Sequence, residues 1–105
     1  MKVSELKSGM LLKPAPGLKL FLMREKAFFR KEKEEKDITT VRFGGDSLFY
    51  GDKYSRVSGP IIYLGSKFDD FVWDGVYKHH RVLAGDTIAV LSGYHVKNLS
   101  FVGEL

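Results

Sequence analysis

The chain has 105 residues, of which 44% are hydrophobic and 29% are charged, and its formal net charge at pH 7 is +4. This length and composition are typical of one globular domain, residues 1–105, and are not those of a disordered chain. Cysteine is absent, which excludes a disulfide framework and a thiolate metal site. The small excess of positive charge permits a polyanionic partner without requiring one.

The N-terminal residues contain no apolar run of the length that a secretory signal peptide needs. The longest apolar stretch, residues 18–23, is interrupted by Lys19 and is far shorter than the ~20 residues of a membrane span. We therefore expect a cytoplasmic protein with no membrane partner.

Glycines interrupt the sequence at short intervals, and the runs between them are rich in β-branched, aromatic and leucine residues. Short strands separated by turn signals are typical of a small β-barrel or sandwich. A helical turn over residues 3–7, closed by Gly9, precedes the first strand. The predicted strands, in chain order, cover residues 10–13, 18–23, 38–43, 48–50, 61–64, 71–73, 76–77, 81–83, 87–91 and 98–102.

Two tight turns and one 3-10 turn organise the C-terminal half. Asp74-Gly75 is the strongest hairpin signal in the chain, because Asp-Gly suits a two-residue turn in which both residues have positive φ. Residues 84–86 predict a second bend between two strands. Residues 92–96 predict one 3-10 turn before the last strand.

A charged segment, residues 30–37, interrupts the strand pattern. Its pairs at i,i+4 have opposite signs, which favours a helix by about 0.2–0.5 kcal/mol per pair. The segment has no apolar face with which a short helix could dock. We predict a solvated, mobile connection between two strands, and residues 24–37 remain open to either loop or helix. A charged arm for a partner is the alternative function, although the near-balanced charge argues against a nucleic-acid arm.

The C-terminal third resembles a small SH3-like barrel, with a strand, a bend, a strand, one 3-10 turn and a last short strand. Within that class, residues 82–91 are similar to the second signature motif of Sm-like proteins, which places Arg-Gly-Asp or Arg-Gly-Asn between two apolar strands. Ala84 stands where the family has arginine, so the arginine's stacking and phosphate contacts are absent.

The N-terminal part of the resemblance is a one-turn helix like the Sm-like opening, and residues 1–14 also resemble the openings of small marine bacteriophage proteins. Residues 70–74 are similar to the first Sm-like motif, but Asp74 replaces its asparagine, and a hairpin turn at Asp74 would exclude that interpretation. The resemblance implies an all-β, SH3-like or Sm-like barrel, and it implies ring-like assembly more than RNA binding.

The histidines are the candidates for a small metal-dependent enzyme: His79, His80 and His95. A catalytic zinc site needs three converging ligands. Adjacent strand residues point to opposite faces, so His79 and His80 rarely share a metal. The sequence also lacks a nucleophile elbow and a phosphate-binding loop. We therefore predict no catalytic residue, metal or cofactor. The alternative is an enzyme site that combines His95 and one of the other two histidines with Asp69, Asp70 or Asp74.

Aromatic residues beside basic residues support a second alternative, a single-stranded nucleic-acid-binding protein. Such proteins combine stacking faces with cations that contact the phosphate backbone. The candidate residues are Tyr50, Lys53, Tyr54, Arg56, Tyr77, Lys78 and Arg81.

The function that we favour from the sequence is a non-catalytic binding or assembly module that forms homo-oligomers. A barrel of this size gains buried surface by association, and an open edge strand offers unpaired backbone groups to a second copy. The last strand, residues 98–102, is the candidate edge, with an interface at Leu99, Phe101 and Val102.

Overall fold

The computed structural model describes residues 1–45 and 54–105, which form eight strands and two 3-10 turns. The predicted strand at residues 48–50 lies outside the described residues. The first 3-10 turn is Val3–Glu5 and the second is Gly93–Asn98. The strands are β1 Met10–Pro14, β2 Lys19–Phe29, β3 Glu34–Gly44, β4 Tyr54–Val57, β5 Ile61–Trp73, β6 Val76–Ala84, β7 Thr87–Leu91 and β8 Leu99–Glu104.

Five of these strands close into a small mixed barrel. The strand order is β4-β2-β3-β7-β6-β5-β1-β8, and a further pairing of β2 with β5 closes the ring β2-β3-β7-β6-β5. The closing contact pairs Phe28 with Val72 and Phe29 with Phe71. The ring is mixed because β3 and β7 run parallel at Thr40 and Val90, whereas the other pairs are antiparallel. The remaining strands lie outside it, with β4 on β2, β1 on β5 and β8 on β1.

Two apolar cores form on opposite faces of this sheet. Successive strand residues point to opposite faces, and in β7 Ala89 and Leu91 belong to one core while Val90 belongs to the other. The second core is small, and partly buried Phe29 and Ile38 pack against its buried residues Ala27, Phe71, Trp73 and Val90. The first core comprises Leu12, Leu20, Val41, Ile61, Tyr63, Val82, Ala84, Ala89, Leu91, Val96 and Leu99.

Half of the charged segment, residues 34–37, is strand, which corrects the prediction of a loop or helix over all of residues 30–37. β2 continues to Phe29 and β3 begins at Glu34, so the connection is only residues 30–33. Lys26 Nζ lies 2.9 Å from Asp37 Oδ1 in a cross-strand charge pair, and one of the i,i+4 pairs, Glu32 with Lys36, is also formed at 3.2 Å. The start of the turn is also attached to β5, because the Arg30 backbone N–H donates to the Asp70 carbonyl at 2.9 Å.

The Asp74-Gly75 turn is confirmed as a two-residue hairpin between β5 and β6. Asp74 has φ 51° and Gly75 has φ 74°, and Trp73 pairs with Val76 across the turn. Because Asp74 lies in a turn, the interpretation of residues 70–74 as the first Sm-like motif is wrong. The predicted order of strand, bend, strand, 3-10 turn and last strand is confirmed in β6, β7, the second 3-10 turn and β8.

Candidate functional site

The three histidines occupy three separate environments. His79 is fully buried beside the second core, whereas His80, on the opposite face of β6, lies 2.8 Å from the Tyr63 hydroxyl through its Nδ1. His95 lies in the second 3-10 turn with its ring edge-on to Phe43, 5.7 Å between centroids. Burial lowers the pKa of both His80 and His95. In residues 1–45 and 54–105, no group of three or more His, Cys, Asp or Glu side chains is placed to hold a metal ion.

A buried polar cluster surrounds His79. Its Nδ1 lies 3.2 Å from Asp69 Oδ2, and Arg81 binds the other oxygen of the same carboxylate. Phe71 stacks on the imidazole at 4.8 Å between ring centroids. The described residues offer no hydrogen-bond partner to His79 Nε2, Trp73 Nε1 or Arg81 Nε. A histidine ring that is held by a carboxylate is suited to proton transfer. His79 is 0% exposed, however, so solvent does not reach its ring.

The three candidate carboxylates make three separate structural contacts. Asp69 is buried with His79 and Arg81, as described above. Asp70 accepts a hydrogen bond from the Lys31 backbone N–H at 3.4 Å. Asp74 lies 3.5 Å from Arg42 Nη2. The structure therefore brings Asp69 to His79, but among the described residues it does not gather three of these carboxylates and histidines at one point.

The residues predicted to bind nucleic acid lie on two separate strands. Tyr54 and Arg56 are on β4, whereas Tyr77, Lys78 and Arg81 are on β6, and β2, β3 and β7 lie between these strands in the sheet. Tyr50 and Lys53 lie outside the described residues. The described candidates thus do not form one continuous strand surface.

On β6, the predicted contact groups already have intramolecular contacts. The Arg30 guanidinium lies over the Tyr77 ring at 4.8 Å. Arg81 is held by Asp69. Lys78 is exposed on the same strand. A base that stacked on Tyr77 would have to displace the arginine.

The predicted interface residues divide between core and surface. Leu99 is 2% exposed and belongs to the first core, whereas Phe101 is 50% and Val102 is 48% exposed. β8 is at the end of the strand order and pairs only with β1 among the described strands. Because Leu12 pairs with Phe101 and Leu11 with Gly103, Val102 is the extra residue of a β-bulge.

A groove of about 380 Å³ lies between β4 and β8, the two end strands of the sheet. Sequence reasoning selected Arg56 and Val102 from its lining but missed the rest. The lysines near the start of the chain were the one signal, and the residues that join them in the groove come from much later in the chain. The described lining residues are Lys13, Pro14, Leu18, Lys19, Leu20, Arg56, Val57, Ser58, Gly59, Pro60 and Val102.

A second hollow of about 300 Å³ opens beside His95. Its basic group, Arg42, is neutralised by Glu25, whose carboxylate oxygens lie 2.6 and 2.7 Å from Arg42 Nη2. His95 Nδ1 is buried and has no hydrogen-bond partner in the described part of the chain. The described lining of this hollow is Met23, Arg42, Phe43, Tyr54 and His95.

Within the described residues, no helix has the length and apolar character that crossing a membrane requires. No protein-family model, curated protein or solved structure matches this chain.

Proposed function

We propose that this protein is a non-catalytic binding or assembly module that associates with copies of itself through the outer edge of β8. The observation that supports this proposal is the position of β8 at the end of the sheet, with Phe101 and Val102 each about half exposed. An uncovered strand edge presents backbone N–H and C=O groups that a second copy can pair with. The same contact repeated by rotation closes a ring, and a two-fold axis gives a dimer.

We also propose that one part of the sheet, which includes both ring strands and outer strands, has an SH3-like arrangement. β7, β6, β5, β1 and β8 are consecutive neighbours in the sheet, and a 3-10 turn precedes the last of them. This run contains the strand order on which the resemblance rests. Since Ala84 replaces the motif arginine, RNA binding is not part of the proposal.

Self-association is tested by measuring mass in solution with light scattering at micromolar concentration. We expect a mass above the 11.9 kDa of one chain. Burying a phenylalanine contributes about 1.5–3 kcal/mol, which is about tenfold to a hundredfold in a dissociation constant. Phe101→Lys should therefore weaken association by about that factor while the circular dichroism spectrum stays the same.

The matched control is Tyr94→Lys, which places the same charge on another exposed aromatic position. Tyr94 is 80% exposed and lies in the second 3-10 turn, not in β8. We expect Tyr94→Lys to keep the wild-type mass. A wild-type mass of one chain at high concentration would contradict the proposal, as would equal effects of the two variants.

A further inference from the structure

The outer edge of β8 is uncovered among the described strands. β8 pairs with β1 on one side, and the groove of about 380 Å³ separates its other side from β4. The residues that flank β8 are also tied to the β1 side, because the Ala15 N–H donates to the Asn98 carbonyl at 2.8 Å and the Leu105 N–H donates to the Gly9 carbonyl at 3.0 Å. Both ends of β8 are therefore fixed, and the opposite edge is left for a partner strand.

Along this edge the side chains follow the order basic, apolar, acidic. Lys97 lies in the last turn of the 3-10 segment just before β8, Glu104 ends β8, and both are exposed. Phe101 and Val102 lie between them and are each about half exposed. Lys97 Nζ lies 5.7 Å from the Tyr94 ring centroid, and in the described part of the chain neither Lys97 nor Glu104 belongs to an ion pair. Such an order complements itself when it is reversed.

The side chains distinguish three ways of pairing this edge with a second copy. Parallel pairing of two β8 strands would place like charges together at each end. Pairing of β8 with β4 would set Phe101 and Val102 against the polar, exposed centre of β4, which is Ser55 and Arg56. Antiparallel pairing of two β8 strands instead brings the basic end to the acidic end and the apolar centre to the apolar centre.

We propose that two copies pair antiparallel through β8 about a two-fold axis, with Lys97 of each copy beside Glu104 of the other. This inference rests on the proposed self-association and names its partner surface, which is β8 itself. A contact that uses the same patch on both subunits closes at two copies, so the product is a dimer and not a ring. The eight-stranded sheet of each copy then continues across the axis.

Charge reversal at the two ends tests the antiparallel alignment. Because the axis repeats the exposed ion pair, Lys97→Glu and Glu104→Lys should each weaken the dimer about tenfold in analytical ultracentrifugation at low salt. The double variant Lys97→Glu/Glu104→Lys exchanges the two charges and should return the dissociation constant to within about threefold of wild type. Lys31→Glu, at an exposed position of the β2–β3 turn, is the control and should have no effect. The differences should shrink at high salt.

Crosslinking tests the axis itself. The chain has no cysteine, so a single introduced cysteine can crosslink only to a second copy. Ser100 lies near the middle of β8 and close to the proposed axis, so Ser100→Cys should give a covalent dimer with a short bis-maleimide. Ile88→Cys, 58% exposed on β7 and four strands from β8, should not. A ring in which β8 pairs with β4 would instead need both Ser55→Cys and Ser100→Cys in each chain.

The outcomes separate this inference from the proposed function. A wild-type mass of one chain at every concentration overturns both. A mass larger than that of a dimer, or an oligomer in which Ser100→Cys gives no covalent dimer, overturns the two-fold pairing and leaves self-association standing. A dimer that the single charge variants weaken and the double charge variant does not restore overturns the antiparallel alignment of Lys97 with Glu104.

Discussion

His80 combines burial with a specific hydrogen bond, and this makes it sensitive to protonation. Its Nδ1 lies 2.8 Å from the Tyr63 hydroxyl, and in the neutral tautomer with the proton on Nε2 it accepts a hydrogen bond from that hydroxyl. A methyl group added at Gly93 would lie 3.6 Å from Nε2, so the second 3-10 turn covers the other side of the ring. Burial lowers the pKa of His80, and the charges of Lys78 and His79 lower it further. Protonation therefore removes an acceptor and puts a charge inside the first core.

We predict that acidification destabilises the fold through His80. The folded pKa lies below the ordinary value of 6.5, so between these two values the unfolded chain binds the proton that the folded chain does not. Stability is then complete above pH 6.5 and falls as the pH decreases, by at most about 1.4 kcal/mol per pH unit for one group. Urea denaturation of wild type at pH 7.5 and 5.5 should show this loss.

The variant that tests the assignment is His80→Gln, since its amide oxygen can still accept from Tyr63 and does not titrate. We expect its loss of stability between pH 7.5 and 5.5 to be smaller than that of wild type by up to about 1 kcal/mol. His95 also has a lowered pKa, so part of the pH dependence should persist. Equal pH dependence in His80→Gln and wild type would show that His80 is not responsible.

At the scale of the element, the Asp74-Gly75 turn fixes the register of β5 against β6. Both residues have positive φ, a region that a β-branched side chain strongly disfavours. Gly75→Val should therefore destabilise the protein by about 1–3 kcal/mol, measured by thermal or urea unfolding. Gly75→Asn is the control, because asparagine tolerates the left-handed region and should cost less. If both variants unfold at the wild-type midpoint, the turn does not constrain the hairpin.

Local turn chemistry is the part of the fold that the sequence predicts well. Asp74, Gly75 and the bend at Gly85 each depend on their own φ values, which are residue preferences. The long β2–β3 hairpin could not be predicted from the sequence. Ala27, Phe29 and Ile38 form an apolar stripe that is covered only when it packs against β5 and β7. Read along the chain, the charges around them dominate the pattern.

The groove between β4 and β8 could not be predicted from the sequence for a related reason. Lys13 and Lys19 come from the first 20 residues, Arg56 comes from β4, and Val102 comes from β8. None of these residues belongs to a recognisable motif within its own segment of the chain. The pairing of β2 with β5 closes the sheet and so brings its two end strands, β4 and β8, to a common surface.

At the scale of the whole molecule, the two cores share one sheet and should not unfold separately. β2, β3, β5 and β7 each supply residues to both cores, so the loss of one core removes the packing that holds the strands for the other. Small domains of this kind unfold in one cooperative transition. Trp73, the one tryptophan in the sequence, lies in the second core and reports on it by fluorescence.

We therefore predict that a cavity in the first core destabilises the second core to the same extent. Leu12→Ala, at a fully buried position of the first core, should cost about 2–5 kcal/mol. Because one sheet couples the cores, the Trp73 fluorescence midpoint in urea should fall together with the far-ultraviolet circular dichroism midpoint. Ile88→Ala, on β7 at a 58% exposed position, is the control and should leave both midpoints almost unchanged. A Trp73 midpoint that stays at the wild-type value while the dichroism midpoint falls would mean that the β2–β3 hairpin and β5 hold the second core without the first.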